Sequence, residues 1–139
     1  MVRIGCNYKF DKPLINIKLS NGQNEINTMG LLDSGADMTL IPKTVGDDLK
    51  LNNPSKDELS RILSKDIVLG DGRRVIYVER NIDLSIGDKY KTRITVAWLQ
   101  SSSKDAIVLL GRNLFAKFDI VFKEREKRVI LETDSAIFN

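Results

Sequence analysis

Ile15 to Leu19 read INIKL, apolar and polar residues in strict alternation, and Asn21-Gly22 follow almost at once. Alternation with period two turns one face of a strand inward and the other toward water, and Asn-Gly is the strongest short signal for a two-residue hairpin. This coupling of strand and tight turn recurs along the chain and restricts its fold more than any other feature. The return strand runs from Glu25 to Leu32. DIVLG and RRVIYVE flank Asp71-Gly72, a second two-residue turn. NIDLSIG (Asn81 to Gly87) turns at Gly87-Asp88, and TRITVAWL runs back. After the polar loop QSSSKD, AIVLL is continuously apolar, as a strand buried on both faces would be. FDIVF and RVILE, joined by KEREK, form a last hairpin.

Helices are few. Ser55 and Glu58 make a capping box, and Leu59, Ile62 and Leu63 give a short helix over 56–64 its apolar face. Leu114, Phe115 and Phe118 are spaced for another helical stretch after Gly111. Trp98 alternates with Val96 and Ile94 and reads as core. The expected fold is mainly β, a closed or nearly closed barrel of hairpins with one or two short helices, in a single domain spanning 1–139.

Composition narrows the chemistry. The 139 residues contain no histidine, which removes Ser-His and Cys-His nucleophile pairs and every His-ligated metal. The single cysteine, Cys6, excludes a disulfide within the chain and a zinc cluster, and reads as a small packing residue. A net charge of +3, from 22 bases scattered among 19 acids, does not argue for nucleic acid. No early apolar run resembles a signal peptide, and none approaches the ~18 residues of a membrane span, so the expectation is a soluble, cytoplasmic protein. Asp47-Asp48 reads as solvated rather than metal-binding. With no metal or cofactor expected, carboxylates are the leading candidates for chemistry.

Two stretches concentrate that chemistry. The first, Gly30 to Pro42, is GLLDSGADMTLIP. Asp-Ser-Gly alone is ordinary turn composition. Here Leu31 and Leu32 precede it, so Asp33 ends a buried strand, and small Ala36 leads back to apolar Met38, Leu40 and Ile41. The second stretch is VLLGRNLF, Val108 to Phe115. Leucines running into Gly111 suggest a backbone too close to another segment for a side chain. Arg112 is either a solvated base at a helix start or, if desolvated, the two-pronged partner of Asp37.

In this order, LLDSGAD and LLGRNLF resemble the retropepsin-like aspartic proteases, the retroviral protease family with its cellular and prokaryotic relatives, over roughly residues 14–131. The resemblance implies a retropepsin-like barrel acting as a symmetric homodimer. In it the catalytic Asp33 meets the same residue of a second chain, and the two activate water against an extended polypeptide without metal or cofactor. It further implies that Ser34 braces the loops across the dimer axis. The backbone of Gly35 and Asp37 would hold substrate, and Leu31, Ala36, Leu40 and Leu109 would line its pockets. Gly111 and Arg112 would support the site, and the hairpin around Gly70, Asp71 and Gly72 would serve as flap. A non-catalytic dimerisation or peptide-binding module on the same fold is the alternative. The segment between the motifs is longer than in compact retroviral enzymes. The termini, including ETDSAIFN, do not match the interleaved dimer sheet of those enzymes.

Overall fold

The computed structural model describes residues 1–62, 67–68, 74–101 and 106–134. In chain order these form β1 (Val2–Asn7), β2 (Leu14–Asn21), β3 (Asn24–Leu32), β4 (Thr39–Ile41), α1 (Lys43–Asp48), α2 (Lys56–Ile62), β5 (Ile67–Val68) and β6 (Arg74–Val75). There follow β7 (Tyr77–Ile86), β8 (Tyr90–Leu99), β9 (Val108–Leu110), α3 (Arg112–Phe115), β10 (Asp119–Lys123) and β11 (Arg128–Thr133). Six strands close a barrel in the order β2-β3-β9-β4-β8-β7. Outside it lie a three-stranded sheet, β1-β11-β10, and the short β5-β6 pair. The expected mainly β barrel with few helices is what the chain adopts.

Alternation along β2, β7 and β8 sends Ile15, Leu19, Ile82, Leu84 and Val96 into the barrel, where each is fully buried. Phe118 and Ile120 pack partly buried against the same core, which attaches the outer sheet to the barrel. Cys6, on β1, also packs there half-buried, and burial pushes its thiol above the ordinary value.

Several local expectations shift in detail. The first hairpin pairs Asn21 with Asn24, so its loop is Gly22-Gln23, one residue later than Asn21-Gly22. Asn21 is kept on the ladder by its side-chain amide, which donates to Leu49 O at 3.0 Å. RRVIYVE and NIDLSIG do not form separate strands: β7 runs unbroken through Tyr77–Ile86 along β8. Polar Asn81, where a break was expected, stays in the ladder because Thr95 Oγ1 donates to its Oδ1 at 2.6 Å. A two-residue turn at Asp71-Gly72 would set Val68 opposite Val75, whereas β5 and β6 pair Val68 with Arg74. Gly70, Asp71 and Gly72, the expected flap, lie outside the described residues.

The capping box is half made. Glu58 N–H donates to Ser55 Oγ at 3.1 Å, but the Glu58 carboxylate turns to the Arg80 guanidinium, which grips both its oxygens at 2.7 and 2.9 Å. Those hydrogen bonds hold the Glu58 carboxyl below its ordinary range. Arg80 also donates to Asn52 O from Nε and Nη2, tying α2 and the segment before it to the wall of the barrel.

α1 was not expected. Its sequence, KTVGDD, has little apolar periodicity, and Trp98 supplies what its propensity lacks. Fully buried Trp98 donates from Nε1 to Lys43 O at 3.0 Å, and Lys43 Nζ lies 4.6 Å from the ring centre. Gly46 passes so close to the indole that a Cβ there would sit 2.0 Å from Trp98 Nε1. Asp47 is taken up by Lys43, one turn away, at 2.6 Å. Gly46→Ala should therefore destabilise the protein by about 1–3 kcal/mol through overpacking, although alanine is the better helix former. A lowered urea midpoint with an unchanged slope would record it, and an unchanged midpoint would show that α1 moves freely away from Trp98.

Candidate active site

β9 lies between β3 and β4, parallel to the first and antiparallel to the second. That insertion brings the two sequence motifs together. Asp33 directly follows β3, and its N–H donates to Leu110 O at 3.0 Å, extending the β3–β9 ladder one residue beyond the strand. The chain then turns. Ala36 N–H donates to Asp33 O at 3.2 Å and Gly35 N–H to Asp33 Oδ1 at 2.9 Å, so one carboxylate oxygen is oriented by its own turn. Asp33 and Ala36 are half-buried, while Ser34, Gly35 and Asp37 are exposed. Leu31, Leu109 and Leu40 stand in one row across β3, β9 and β4. Leu31 and Leu109 are half-buried and Leu40 is buried.

Gly111 is where the backbones come closest. A Cβ there would fall 2.6 Å from both the carbonyl carbon and the oxygen of Met38 and 2.8 Å from Ala36 O, so no side chain fits. The next residue uses the proximity: Arg112 N–H donates to Ala36 O at 2.8 Å.

The Arg112–Asp37 pair forms, but not as a desolvated, two-pronged contact. It is a single hydrogen bond from Nη2 to Oδ1, with the side chains 60% and 84% exposed. α3 begins at the surface, and both groups extend into water. An ion pair so placed contributes at most about 1 kcal/mol, not the 3–5 kcal/mol at stake in a buried one.

The brace lies instead in two residues not singled out for the site, Thr39 and Asn113. Thr39 is completely buried. Its N–H and its hydroxyl both donate to Asn113 Oδ1 at 2.9 Å, and its Oγ1 accepts the Gly111 N–H at 3.1 Å. Asn113 Nδ2 donates onward to Thr95 O at 2.7 Å, in β8. One hydroxyl and one amide thus join β4, β8 and the turn into α3. The available signal was Thr39 itself, a hydroxyl in the apolar run from Met38 to Ile41, since a buried polar group requires a partner.

Among the described residues, no three His, Cys, Asp or Glu side chains gather as metal ligands. No described helix is long and apolar enough to cross a membrane. The chemistry on offer is one oriented carboxylate on a rigid turn, beside a row of leucines.

The comparisons with known proteins agree with this architecture. The family model described as retroviral aspartyl protease matches residues 9–122, and the chain belongs to that family. Its fold is that of the retropepsin-like proteins. A crystal structure of a retropepsin-like aspartic protease from Rickettsia conorii superposes with a TM-score of 0.59 at 16% identity, covering 94% of this chain and 90% of that one. No curated protein matches the sequence.

Thr39→Val keeps the shape of the side chain but leaves the buried Gly111 N–H without its acceptor. It should cost about 1–3 kcal/mol, measured by chemical denaturation. Arg112→Lys should cost less than about 1 kcal/mol in the same assay. The reverse ranking would return the brace to the ion pair.

Proposed function

We propose that the chain is a homodimeric aspartic endopeptidase whose Asp33 works with the partner's Asp33. The observation that carries this reading is the setting of Asp33: a half-buried carboxylate at the end of a barrel strand, held through its N–H by Leu110 O and through Oδ1 by Gly35 N–H. A pure scaffold has no need for an acid on so rigid a turn. One carboxylate cannot act as base and acid in the same step, and a twofold axis supplies the second from an identical chain. Two carboxylates at ~3 Å hold one proton between them, as is general for aspartic proteases. The ionised member takes a proton from a water between them, the water attacks the scissile carbonyl, and the protonated member donates to the carbonyl oxygen. The C–N bond of that tetrahedral intermediate then breaks as the first carboxyl passes its proton to the leaving nitrogen and the second regains one from a hydroxyl. An extended polypeptide would lie along the exposed backbone of Gly35 and Asp37 in strand-like register. Leu31, Leu109 and Leu40, with Ala36, would offer it apolar side-chain pockets, and exposed Ser34 would meet its counterpart at the axis.

Asp33→Asn preserves shape and removes the base, so peptide hydrolysis should fall by at least about 10²–10⁴-fold with dimer and fold retained. Mixing tests the sharing. Refolded in equal amounts with Asp33→Asn chains, the wild-type chains should lose about half their activity, because about half of them end in mixed dimers. Native mass spectrometry would verify the mixed species. Full activity in their presence would show a site complete within one chain, and hydrolysis by Asp33→Asn alone would remove Asp33 from the chemistry.

A further inference from the structure

Lys9 and Lys12 close a two-residue turn in which each N–H donates to the other's carbonyl, at 2.9 and 3.0 Å. The residues between them, Phe10 and Asp11, have φ of 53° and 62°, both in the left-handed region. A type I′ turn of this kind is normally built from Asn-Gly or Asp-Gly, because most other side chains are strained there. Phenylalanine is the harder to account for because its ring gains little burial: Phe10 is 81% exposed. The turn is nevertheless held firmly. Tyr8 N–H donates to Lys127 O at 2.7 Å, the Tyr8 hydroxyl donates to Glu124 at 3.0 Å, and Lys127 Nζ reaches Asp11 at 3.2 Å. Backbone strain that the surroundings maintain, and that no packing of Phe10 offsets, points to a use outside the chain.

The surroundings of Phe10 define that use. Its ring forms one wall of a groove of about 410 Å³, whose lining also includes Leu14, Met29, Pro42 and Val45. Lys12 belongs to the same lining, and Lys9 stands directly opposite it across the turn. Like charges set opposite one another repel. Asp11, the acid between them, is taken up by Lys127, and among the described residues neither lysine pairs with an acid. We propose that the groove docks a polypeptide segment in which a bulky apolar residue is flanked by acids. The apolar side chain enters beside Phe10, and the neighbouring carboxylates supply the charge that Lys9 and Lys12 lack. A bilayer surface could take up Phe10 and the lysines, but it could not fill a concave groove behind them. The inference goes beyond the Asp33 reading and does not use it, since docking is measured without hydrolysis.

Phe10→Asn separates docking from folding. Asparagine suits the left-handed position better than phenylalanine, so the urea midpoint should hold or rise. The probe is a fluorescein-labelled pentapeptide with a central leucine between glutamates. Its affinity, read by fluorescence polarisation, should fall at least about tenfold in Phe10→Asn. Wild type should bind the same peptide with glutamines more weakly, and with lysines most weakly. K9E/K12E should reverse that order and favour the lysine-flanked peptide, with circular dichroism confirming the fold. Wild type that binds the three peptides alike, Phe10→Asn that binds as wild type does, or a lowered midpoint in Phe10→Asn would each overturn the proposal. So would K9E/K12E that keeps the original order, or wild type that binds phosphatidylserine vesicles and none of the peptides. The Asp33 reading fails separately: a chain that docks the peptides in the expected order yet hydrolyses nothing would keep the groove and lose the protease.

Discussion

Thr39 and Asn113 hold three segments through one hydroxyl and one amide. Thr39 donates to Asn113 and accepts from Gly111, and Asn113 in turn reaches Thr95, so three segments distant in sequence meet in one satisfied, largely buried network. Within a barrel such polar contacts are worth little individually but are expensive to leave half made, which gives the junction one acceptable geometry. The position of Asp33 depends on it. β9 can sit beside β3 and present Leu110 O to Asp33 only while its continuation through Gly111 stays pressed against Met38 and Ala36.

The ion pair between Arg112 and Asp37 is conspicuous in sequence and minor in energy. Its charges lie in water, where solvent takes most of what they would gain. Their backbones are the rigid part: Arg112 N–H is fixed on Ala36 O, so the position of the guanidinium follows from the brace rather than creating it. In the proposed dimer both groups would stand on the open side of the turn, available to a partner or a peptide.

How much of this could be read beforehand follows from the range of each interaction. Strands declared themselves through period two, because burial on one face leaves its mark residue by residue, and Trp98 among alternating apolar neighbours could be placed inside. α1 could not, since KTVGDD is helical on account of a tryptophan more than fifty residues away. β7 ran through Asn81 because Thr95, on another strand, donates its hydroxyl to the Asn81 side chain. Glu58 looked like a capping partner for Ser55 until Arg80 offered two stronger bonds. At the candidate site, Asp33 and Gly111 stood out by residue type and context and Asn113 as part of the second motif, while the contact of Asn113 with Thr39 was hidden because nothing local says that a threonine and an asparagine 74 positions apart will meet.

That separation also bears on the order in which the molecule assembles. The β2–β3 hairpin needs only a two-residue loop, and β7–β8 is nearly as local, so both can form early. The parallel register of Gly30 with Val108 must instead wait for most of the intervening chain to be organised, since its loop entropy is repaid only by contacts made afterwards. During synthesis Asp33 leaves the ribosome long before the residues that orient it. A nascent or partly folded chain carries the acid on an unbraced turn, with Leu110 and Gly111 not yet in place beside it. Whatever this carboxylate does in the finished molecule, its hold by Leu110 O is in place only once the barrel has closed, a sequence of events that comes from topology alone.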